Sequence, residues 1–335
     1  MKINKEQILK QLEAVRPGLA NREIIEQSNT FGFHNGKIVT YNDSISIQAP
    51  TELNINGAVN SQKFYSTISK LKSDKEGNIE INIEDGKLIF KSKKANAGLV
   101  FQSDMKLPID EINLSGKWRN IPDNFLDGVK ICSPSVSKDF SKPVITCINI
   151  DKNCLRAGDG FRLTKYNLSK KTTIKCSIPS SSLLQLLKYD ITQYMQTNNW
   201  MHFTTADNVL FSCRLINDNY PDVDHLFNVR GEELIFPDGT TEVIQKADIF
   251  STNEIADDSS INVTIKNKKL IIKGENQLGW YEEKLKIKSD LDISFDVNPK
   301  VLTDILKNLK KCIIDIKSNK ILFVNDTWQH IIVTQ

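Results

Sequence analysis

A threefold internal repeat is the feature that most constrains how this 335-residue chain can fold. Three similar segments, VNSQKFYSTISKLK, IPSSSLLQLLKYDI and VNPKVLTDILKNLKK, begin 119 residues apart, at Val59, Ile178 and Val297. Each opens with an aliphatic residue and a helix-start signal, then places apolar residues at the spacing of one helix face. Self-similarity at a fixed period indicates repeated structural units, each containing this helix.

The segments around each repeated helix recur in the same order. A hairpin-like pair of strands precedes each helix and another follows it, as in NIEINIEDGKLIFKS, where Asp85-Gly86 suits a tight turn. A first helical segment precedes the earlier hairpin: KEQILKQLEAV, IPDNFLDGVKIC and TEVIQKADIFSTN. A repeat of this length can bury its own core, unlike a solenoid repeat. We therefore predict an α+β fold of three repeated domains, residues 1–108, 109–226 and 227–335, each with two helices packed on antiparallel sheet.

Composition and motifs exclude several classes of function. The chain has no apolar run long enough to span a membrane, and its first residues carry charges throughout, so we expect a cytoplasmic protein. The six cysteines form no C-x-x-C pair, which favours reduced thiols over metal ligands. Neither a G-x-x-x-x-G-K-[ST] nor a G-x-G-x-x-G motif after a strand occurs, and the four histidines lack H-x-x-x-H spacing. We expect no cofactor, no metal and no enzymatic activity.

One short stretch, LRAGDGFRLTKY, admits several interpretations on its own. Gly158-Asp159-Gly160 is compatible with a phosphate-binding turn, a metal loop, a catalytic aspartate at a strand end, or a hairpin. A calcium loop would need further acidic ligands, which are missing here. The glycines allow a tight backbone, and we expect Asp159 to accept hydrogen bonds from turn amides.

Lysines are concentrated on two of the three repeated helices. The net charge of the chain is only +3, so the position of the charge carries more information than its total. Lysines at helical spacing match the phosphate backbone of a nucleic acid and not base edges; a solvated surface face is the alternative. On the last helix, we expect Lys300, Lys307 and Lys311 to project from one face. The predicted DNA-facing set is Lys63, Lys70 and Lys72 of the first helix, Lys188 after the second, and Lys300, Lys307, Lys310 and Lys311 of the third.

The repeat and two motifs of the middle unit resemble the bacterial-type DNA sliding clamp, the beta subunit of DNA polymerase III. The stretch from Ala157 to Leu163 resembles the family's Ala-Thr-Asp-Gly-His-Arg-Leu turn, with Gly158 in place of Thr and Phe161 in place of His. The segment FSCRLINDNYPDVDHLF resembles the strand and exit loop in which Arg-Leu-Ile/Val precedes an aromatic, Pro and Asp. The organisational match covers essentially the whole chain, and the composition suits a low-GC bacterium, a plasmid or a phage.

The resemblance implies a ring and a peptide groove. Two protomers would join head to tail around duplex DNA, and a hydrophobic groove between the middle and last domains would capture short peptides from the replicative polymerase, the clamp loader and other proteins. The C-terminal HIIVTQ departs from the Met-Pro ending of the family, which leaves the preferred peptide open. The groove residues implied are Ile145, Gly158, Gly160, Phe161, Arg162, Leu163, Phe227, Ile331, Val333, Thr334 and Gln335.

The resemblance also implies a homodimer interface. By position, Leu99 and Phe101 of the first domain would meet Ile249 and Phe250 of the last domain of the partner. Packing inside one domain is the alternative for these four residues. The expected function is a DNA polymerase processivity factor; the second hypothesis is a clamp-fold interaction protein that does not encircle DNA.

Overall fold

The chain forms two compact units, each made of two stretches of sequence. The computed structural model describes residues 1–92, 95–251 and 259–334. Unit 1 comprises Met1–Asp123 and Cys176–Asn217, and unit 2 comprises Asn124–Lys175 and Asp218–Gln335. The division into three domains of equal design stays a prediction.

Each of the six helical segments predicted from the sequence forms an α-helix. Their bounds are α1 Lys5–Val15, α2 Ser61–Lys70, α3 Phe125–Cys132, α4 Ser180–Leu186, α5 Thr240–Asp248 and α6 Pro299–Leu306. Asparagine side chains begin three of them: Asn4, Asn60 and Asn298 each accept a hydrogen bond from a backbone N–H of the first turn, which satisfies a donor that the helix itself leaves unpaired.

The remaining chain is mostly antiparallel β-strand. In the first third the strands are β1 Lys2–Asn4, β2 Thr30–His34, β3 Lys37–Tyr41, β4 Ile45–Pro50, β5 Gly57–Asn60, β6 Asn78–Glu84, β7 Lys87–Ser92 and β8 Ala95–Gln102. In the middle third they are β9 Arg119–Asn120, β10 Cys147–Asp151, β11 Cys154–Gly158, β12 Arg162–Asn167, β13 Lys175–Pro179, β14 Ile191–Gln196, β15 Trp200–Thr205 and β16 Leu210–Arg214. In the last third they are β17 Glu232–Ile235, β18 Ile261–Lys266, β19 Lys269–Asn276, β20 Gly279–Lys286, β21 Ile293–Val297, β22 Lys311–Asp315, β23 Lys320–Val324 and β24 Trp328–Val333.

Unit 1 is built on one long antiparallel sheet. Its strand order is β1-β6-β7-β8-β5-β2-β3-β4-β16-β15-β14-β9. Helices α1 and α2 pack on each other and on its strands, with the ring of Phe64 in α2 against Phe31, Phe33 and Phe90 at centroid distances of 5.6–6.2 Å. The hairpin β6–β7 turns at Asp85-Gly86, where both residues have the positive φ that the sequence predicted for a tight turn.

Unit 2 contains two sheets. One has seven consecutive strands in the order β10-β11-β12-β24-β23-β22-β17, and the other has the order β20-β19-β18-β21. Helices α5 and α6 pack together, α5 also contacts β18 to β20, and α3 contacts β11 and β12. Helices on antiparallel sheets confirm the predicted α+β fold class. The pairing of β12 with β24 joins the Gly-Asp-Gly motif to the C-terminal strand and thereby creates the candidate site.

Candidate functional site

The Gly-Asp-Gly motif forms the tight turn between β11 and β12. Oδ1 of Asp159 accepts hydrogen bonds from the backbone N–H groups of Phe161 and Arg162, both at 3.0 Å, as predicted. Its Oδ2 accepts from Nε of Arg162 at 3.0 Å. Gly160 has φ +95°, and a Cβ on Gly158 would lie 3.0 Å from Cδ1 of Leu163. Asp159 is therefore committed to the turn, which argues against the catalytic and metal interpretations of this motif.

An apolar floor lies on one face of the sheet beside this turn. Leu163 of β12 is directly opposite Ile331 of β24, which is directly opposite Leu322 of β23, so these side chains share a face. All three are buried and form a core cluster with Phe227. Val223, Leu226, Val229 and Ile313 pack against this cluster and are only partly buried.

The last residues of the chain extend this face. The backbone N–H of Val333 donates to the carbonyl of Phe161 at 2.8 Å, and that of Thr334 donates to Asn319 at 2.9 Å. The Phe161 residue is 61% exposed and Val333 is 42% exposed, so an accessible apolar pair adjoins the buried floor. Thr334 is buried, and Gln335 lies outside the described residues.

A twelve-residue segment, residues 218–229, covers part of the floor; we call it the strap. Its one regular element is a short 3-10 turn, Asp224–Phe227. The phenol of Tyr220 receives a hydrogen bond from the backbone of Gly158, and burial raises the pKa of Tyr220. Phe227 enters the floor cluster, and Nζ of Lys165 lies 5.8 Å from the centroid of its ring.

Three charged side chains attach the strap to the sheet. Arg156 of β11 donates from Nε to Oδ1 of Asp224 at 2.8 Å and from Nη2 to Oδ2 at 2.7 Å, and Nζ of Lys165 lies 3.1 Å from Oδ1. The hydrogen bonds from Arg156 hold the pKa of Asp224 below its usual range, and the hydrogen bond from Lys165 makes a smaller contribution in the same direction. The two bonds from Arg156 are bidentate and charge-assisted, which is the strong form of an arginine–carboxylate contact.

Two of the expected groove residues differ from the others in their surroundings. Ile145 lies in a 3-10 turn, Pro143–Thr146, and is not among the described side chains that pack on the floor cluster. The guanidinium of Arg162 is bound to Asp159 and its side chain is only 16% exposed. Sequence patterns did not predict that Arg156, Lys165, Leu322 and Asp224 belong to this site. Strand alternation in RLTKY places Lys165 on the face of Leu163, but nothing local marks Asp224 as its partner.

Among the described residues, the lysines in and just after α2 are exposed and have no carboxylate partner. Lys63 lies in the first turns of the helix and Lys70 is its last residue. Leu71 is extended, so Lys72 lies beyond the helix end. In the part of the chain that the structure describes, no ion pair involves Lys63, Lys70 or Lys72.

The prediction that Lys311 shares a helix face with Lys300 and Lys307 is wrong. Helix α6 ends at Leu306, and Lys311 is the first residue of β22, opposite Ile235 of β17. Strand pairing that buries Cys312 outweighs the helical propensity of this segment.

Most of the lysines around α6 are paired with acids. Nζ of Lys307 lies 3.0 Å from Oδ1 of Asp304, and Nζ of Lys311 lies 3.0 Å from Oε2 of Glu233. Lys310 is bound to Asp238. Lys300 is exposed on the helix itself. In unit 1, Lys188 follows α4 and donates to Oε1 of Gln185 at 2.7 Å.

Two of the four expected interface residues lie on β8, and the other two follow α5 directly. Leu99 and Phe101 belong to β8 in unit 1; Leu99 is half-buried and Phe101 is buried. In unit 2, Ile249 is 69% exposed and Phe250 is half-buried just after α5. Whether they form an interface stays a prediction.

The described residues give little support for reactive thiols or for a metal site. The six cysteines are free thiols, and burial raises the pKa of Cys132, Cys147, Cys154, Cys213 and Cys312. Within residues 1–92, 95–251 and 259–334, no group of three or more His, Cys, Asp or Glu side chains could hold a metal ion. No helix in the same ranges is long and apolar enough to cross a membrane.

Solved structures that share this fold include bacterial sliding clamps. The DNA polymerase III beta chain from Streptococcus pneumoniae is 21% identical with a TM-score of 0.86, covering 100% of this chain and 98% of that chain. The DNA polymerase III subunit beta from Pseudomonas aeruginosa is 18% identical with a TM-score of 0.87, covering 100% and 99%. A sliding clamp from Bartonella birtlesii, bound to griselimycin, is 16% identical with a TM-score of 0.85, covering 100% and 98%.

The likeness extends over the whole chain and is one of fold. No family model matches the sequence, and no curated protein matches it. The chain thus has the fold of the DNA polymerase III beta subunit, and the resemblance recognised from its repeat and its two motifs is confirmed at that level.

Proposed function

We propose that this protein is a DNA polymerase processivity factor, a sliding clamp that encircles duplex DNA as a head-to-tail dimer. The observation that carries the proposal is the end-to-end likeness to bacterial clamps, at TM-scores of 0.85–0.87 for the three structures compared. Each protomer would supply three domains of one design, and closed symmetry would join them into a ring.

Two open strand edges support the head-to-tail dimer. In unit 1, β8 pairs with β7 along Ala95–Val100, and no other described strand pairs with that stretch. In unit 2, β20 is an edge strand of its sheet. Val100 is 72% exposed and Trp280 on β20 is 63% exposed. Unpaired edges with exposed apolar side chains are templates for pairing with another chain.

The charge distribution supports binding that is independent of sequence and permits sliding. Exposed lysines on α2 and Lys300 on α6 suit contact with phosphates. A net charge of +3 keeps this attraction modest, whereas tight phosphate binding would oppose movement along the duplex. A protein held on DNA by topology needs no stronger contact.

The exposed Phe161–Val333 pair and the partly buried side chains of Val223, Leu226 and Val229 beside the floor support capture of apolar peptide segments. A few aromatic and aliphatic anchors carry most of the energy in such contacts. The partners we propose are a replicative polymerase, a clamp loader and other proteins with a clamp-binding segment. The protein itself acts as a tether in the cytoplasm, with no enzymatic activity and no cofactor.

Light scattering across protein concentration tests ring formation. A mass near twice 38.0 kDa supports the dimer. Val100→Asp and Trp280→Asp should each shift the equilibrium toward monomer, because a charge would be buried without a partner at the joined edges. Ile24→Asp is the matched control, since Ile24 is 92% exposed and lies on neither edge.

The other outcome favours the second hypothesis. A chain that stays monomeric at every concentration, with and without DNA, contradicts the dimer ring. It would favour a clamp-fold interaction protein that does not encircle DNA.

A further inference from the structure

Among the described residues, the strap makes no backbone–backbone hydrogen bond to the sheet that it covers. Its described backbone hydrogen bonds are local, such as Leu226 to Val223 at 3.0 Å and Val229 to Phe227 at 3.0 Å. Its position over the floor therefore depends on side chains: Tyr220, Asp224 and the apolar residues near Phe227.

Asp224 is the polar attachment with the most specific geometry. Its two oxygens receive both arms of Arg156, whose side chain is only 12% exposed, and Lys165 adds a third contact. The other carboxylate near Arg156, that of Asp151, is 3.8 Å from Nη1. Without Asp224, a mostly buried guanidinium would keep, among the described carboxylates, only this long contact, and this loss disfavours the closed position of the strap.

The attachment lies next to the floor. Arg156 is directly opposite Lys165 on the neighbouring strand, and Gly158 is directly opposite Leu163 one step along the same face. Asp224 covers the first pair, while Val223 and Leu226, on either side of it in sequence, pack against the floor cluster. Fixing Asp224 therefore fixes apolar side chains that would form one wall of the proposed groove.

We infer that Asp224 is a positioning residue for ligand binding. Its hydrogen bonds to Arg156 and Lys165 hold the strap in place, so that the groove is formed before a ligand binds. The inference rests on the proposed function of the groove. A preformed wall lowers the ordering cost that a ligand would otherwise meet, and its loss should appear mainly as weaker affinity.

Calorimetry of griselimycin, the molecule bound to the Bartonella birtlesii clamp, with the full chain tests this. Asp224→Asn keeps the shape of the side chain but removes its charge, and should weaken binding about tenfold. Asp224→Glu should restore part of the affinity. Asp218→Asn is the matched control: it makes the same charge change at the start of the strap, and no ion pair or side-chain hydrogen bond of Asp218 occurs among the described residues. It should bind like the unaltered chain.

Salt dependence and hydrogen exchange separate positioning from general destabilisation. Raising the KCl concentration should weaken binding more in the unaltered chain than in Asp224→Asn, because salt screens the partly exposed ion pair. Amides of residues 222–229 should exchange faster in Asp224→Asn, while those of β12 and β24 stay as slow as before.

The outcomes distinguish the inference from the function on which it rests. Unchanged affinity and unchanged strap exchange in Asp224→Asn would overturn the inference. If the unaltered chain does not bind griselimycin, the groove proposal fails at this test, and the exchange result alone decides whether Asp224 holds the strap.

Discussion

The lysines in and just after α2 and those around α6 look alike in sequence but differ in what their ammonium groups contact. Lys63, Lys70 and Lys72 are exposed and have no carboxylate partner in the described ranges. Around α6, three of the four lysines are paired with Asp304, Asp238 and Glu233. The comparison shows that a count of lysines overestimates available positive charge wherever the fold brings acids to them.

The largest expected effect comes from truncating a buried apolar side chain in either helix. Phe64 of α2 and Leu302 of α6 are fully buried. Phe64→Ala should lower the free energy of unfolding by about 3–5 kcal/mol and Leu302→Ala by about 2–5 kcal/mol, since each leaves a cavity. Urea unfolding measures both, with Lys63→Ala as a surface control. A loss below about 1 kcal/mol at either position would contradict the similar anchoring of the helices.

A pH effect of intermediate size should arise in both units. His202 in unit 1 has Nδ1 2.8 Å from Oγ of Ser212, and His330 in unit 2 has Nδ1 2.7 Å from Oγ1 of Thr164. Burial lowers the pKa of His202 to about 4 and that of His330 to about 3. Between the unfolded pKa and these values, only the unfolded chain binds the proton.

Stability should therefore be fully present above about pH 6.5 and fall as the pH decreases toward the folded pKa values, by about 1.4 kcal/mol per pH unit for each histidine. Urea unfolding between about pH 6.5 and 5 measures the slope, a range in which few carboxyls titrate. His202→Gln and His330→Gln should each remove about half of it. An unchanged slope in both variants would mean that other groups cause the pH dependence.

The smallest expected effect tests the lysine comparison itself. Changing Lys63, Lys70 and Lys72 together to Gln should weaken DNA binding about tenfold or more, because uncompensated charges are lost. Changing Lys307, Lys310 and Lys311 to Gln should weaken it by less than about threefold, although the change in net charge is the same. Fluorescence anisotropy with a short duplex at fixed salt measures both.

The acids around α6 offer the converse test. Asp304→Asn combined with Glu233→Gln frees two lysines. This variant should bind the same duplex more tightly than the unaltered chain does. Equal losses in the two lysine sets, with no gain in this variant, would show that net charge alone governs DNA binding.

Local patterns predicted the elements better than their ends. The periodic apolar residues and asparagine caps were enough to predict the helices, and positive-φ residues such as Asp85 and Gly86 confirmed the predicted turn. The end of α6 was mispredicted because Lys311 and Cys312 pair with β17, far away in sequence.

The site was predicted only in part for the same reason. Asp159 and its turn bonds are local, and the sequence predicted them. The bond between Arg156 and Asp224 spans 68 residues and depends on how the strap crosses the sheet. Neither residue stands out in composition or spacing, so the partner of each became evident only in the folded chain.

Retention on circular DNA shows whether the protein forms a ring around the duplex. The protein, loaded on a closed circle with a clamp loader, is passed through a sizing column at moderate salt before and after a single cut in the DNA. A ring that encircles DNA should stay with the closed circle and be lost from the cut one, because topology and not contact holds it. Equal retention on both forms, or release from both, would contradict a ring that encircles DNA.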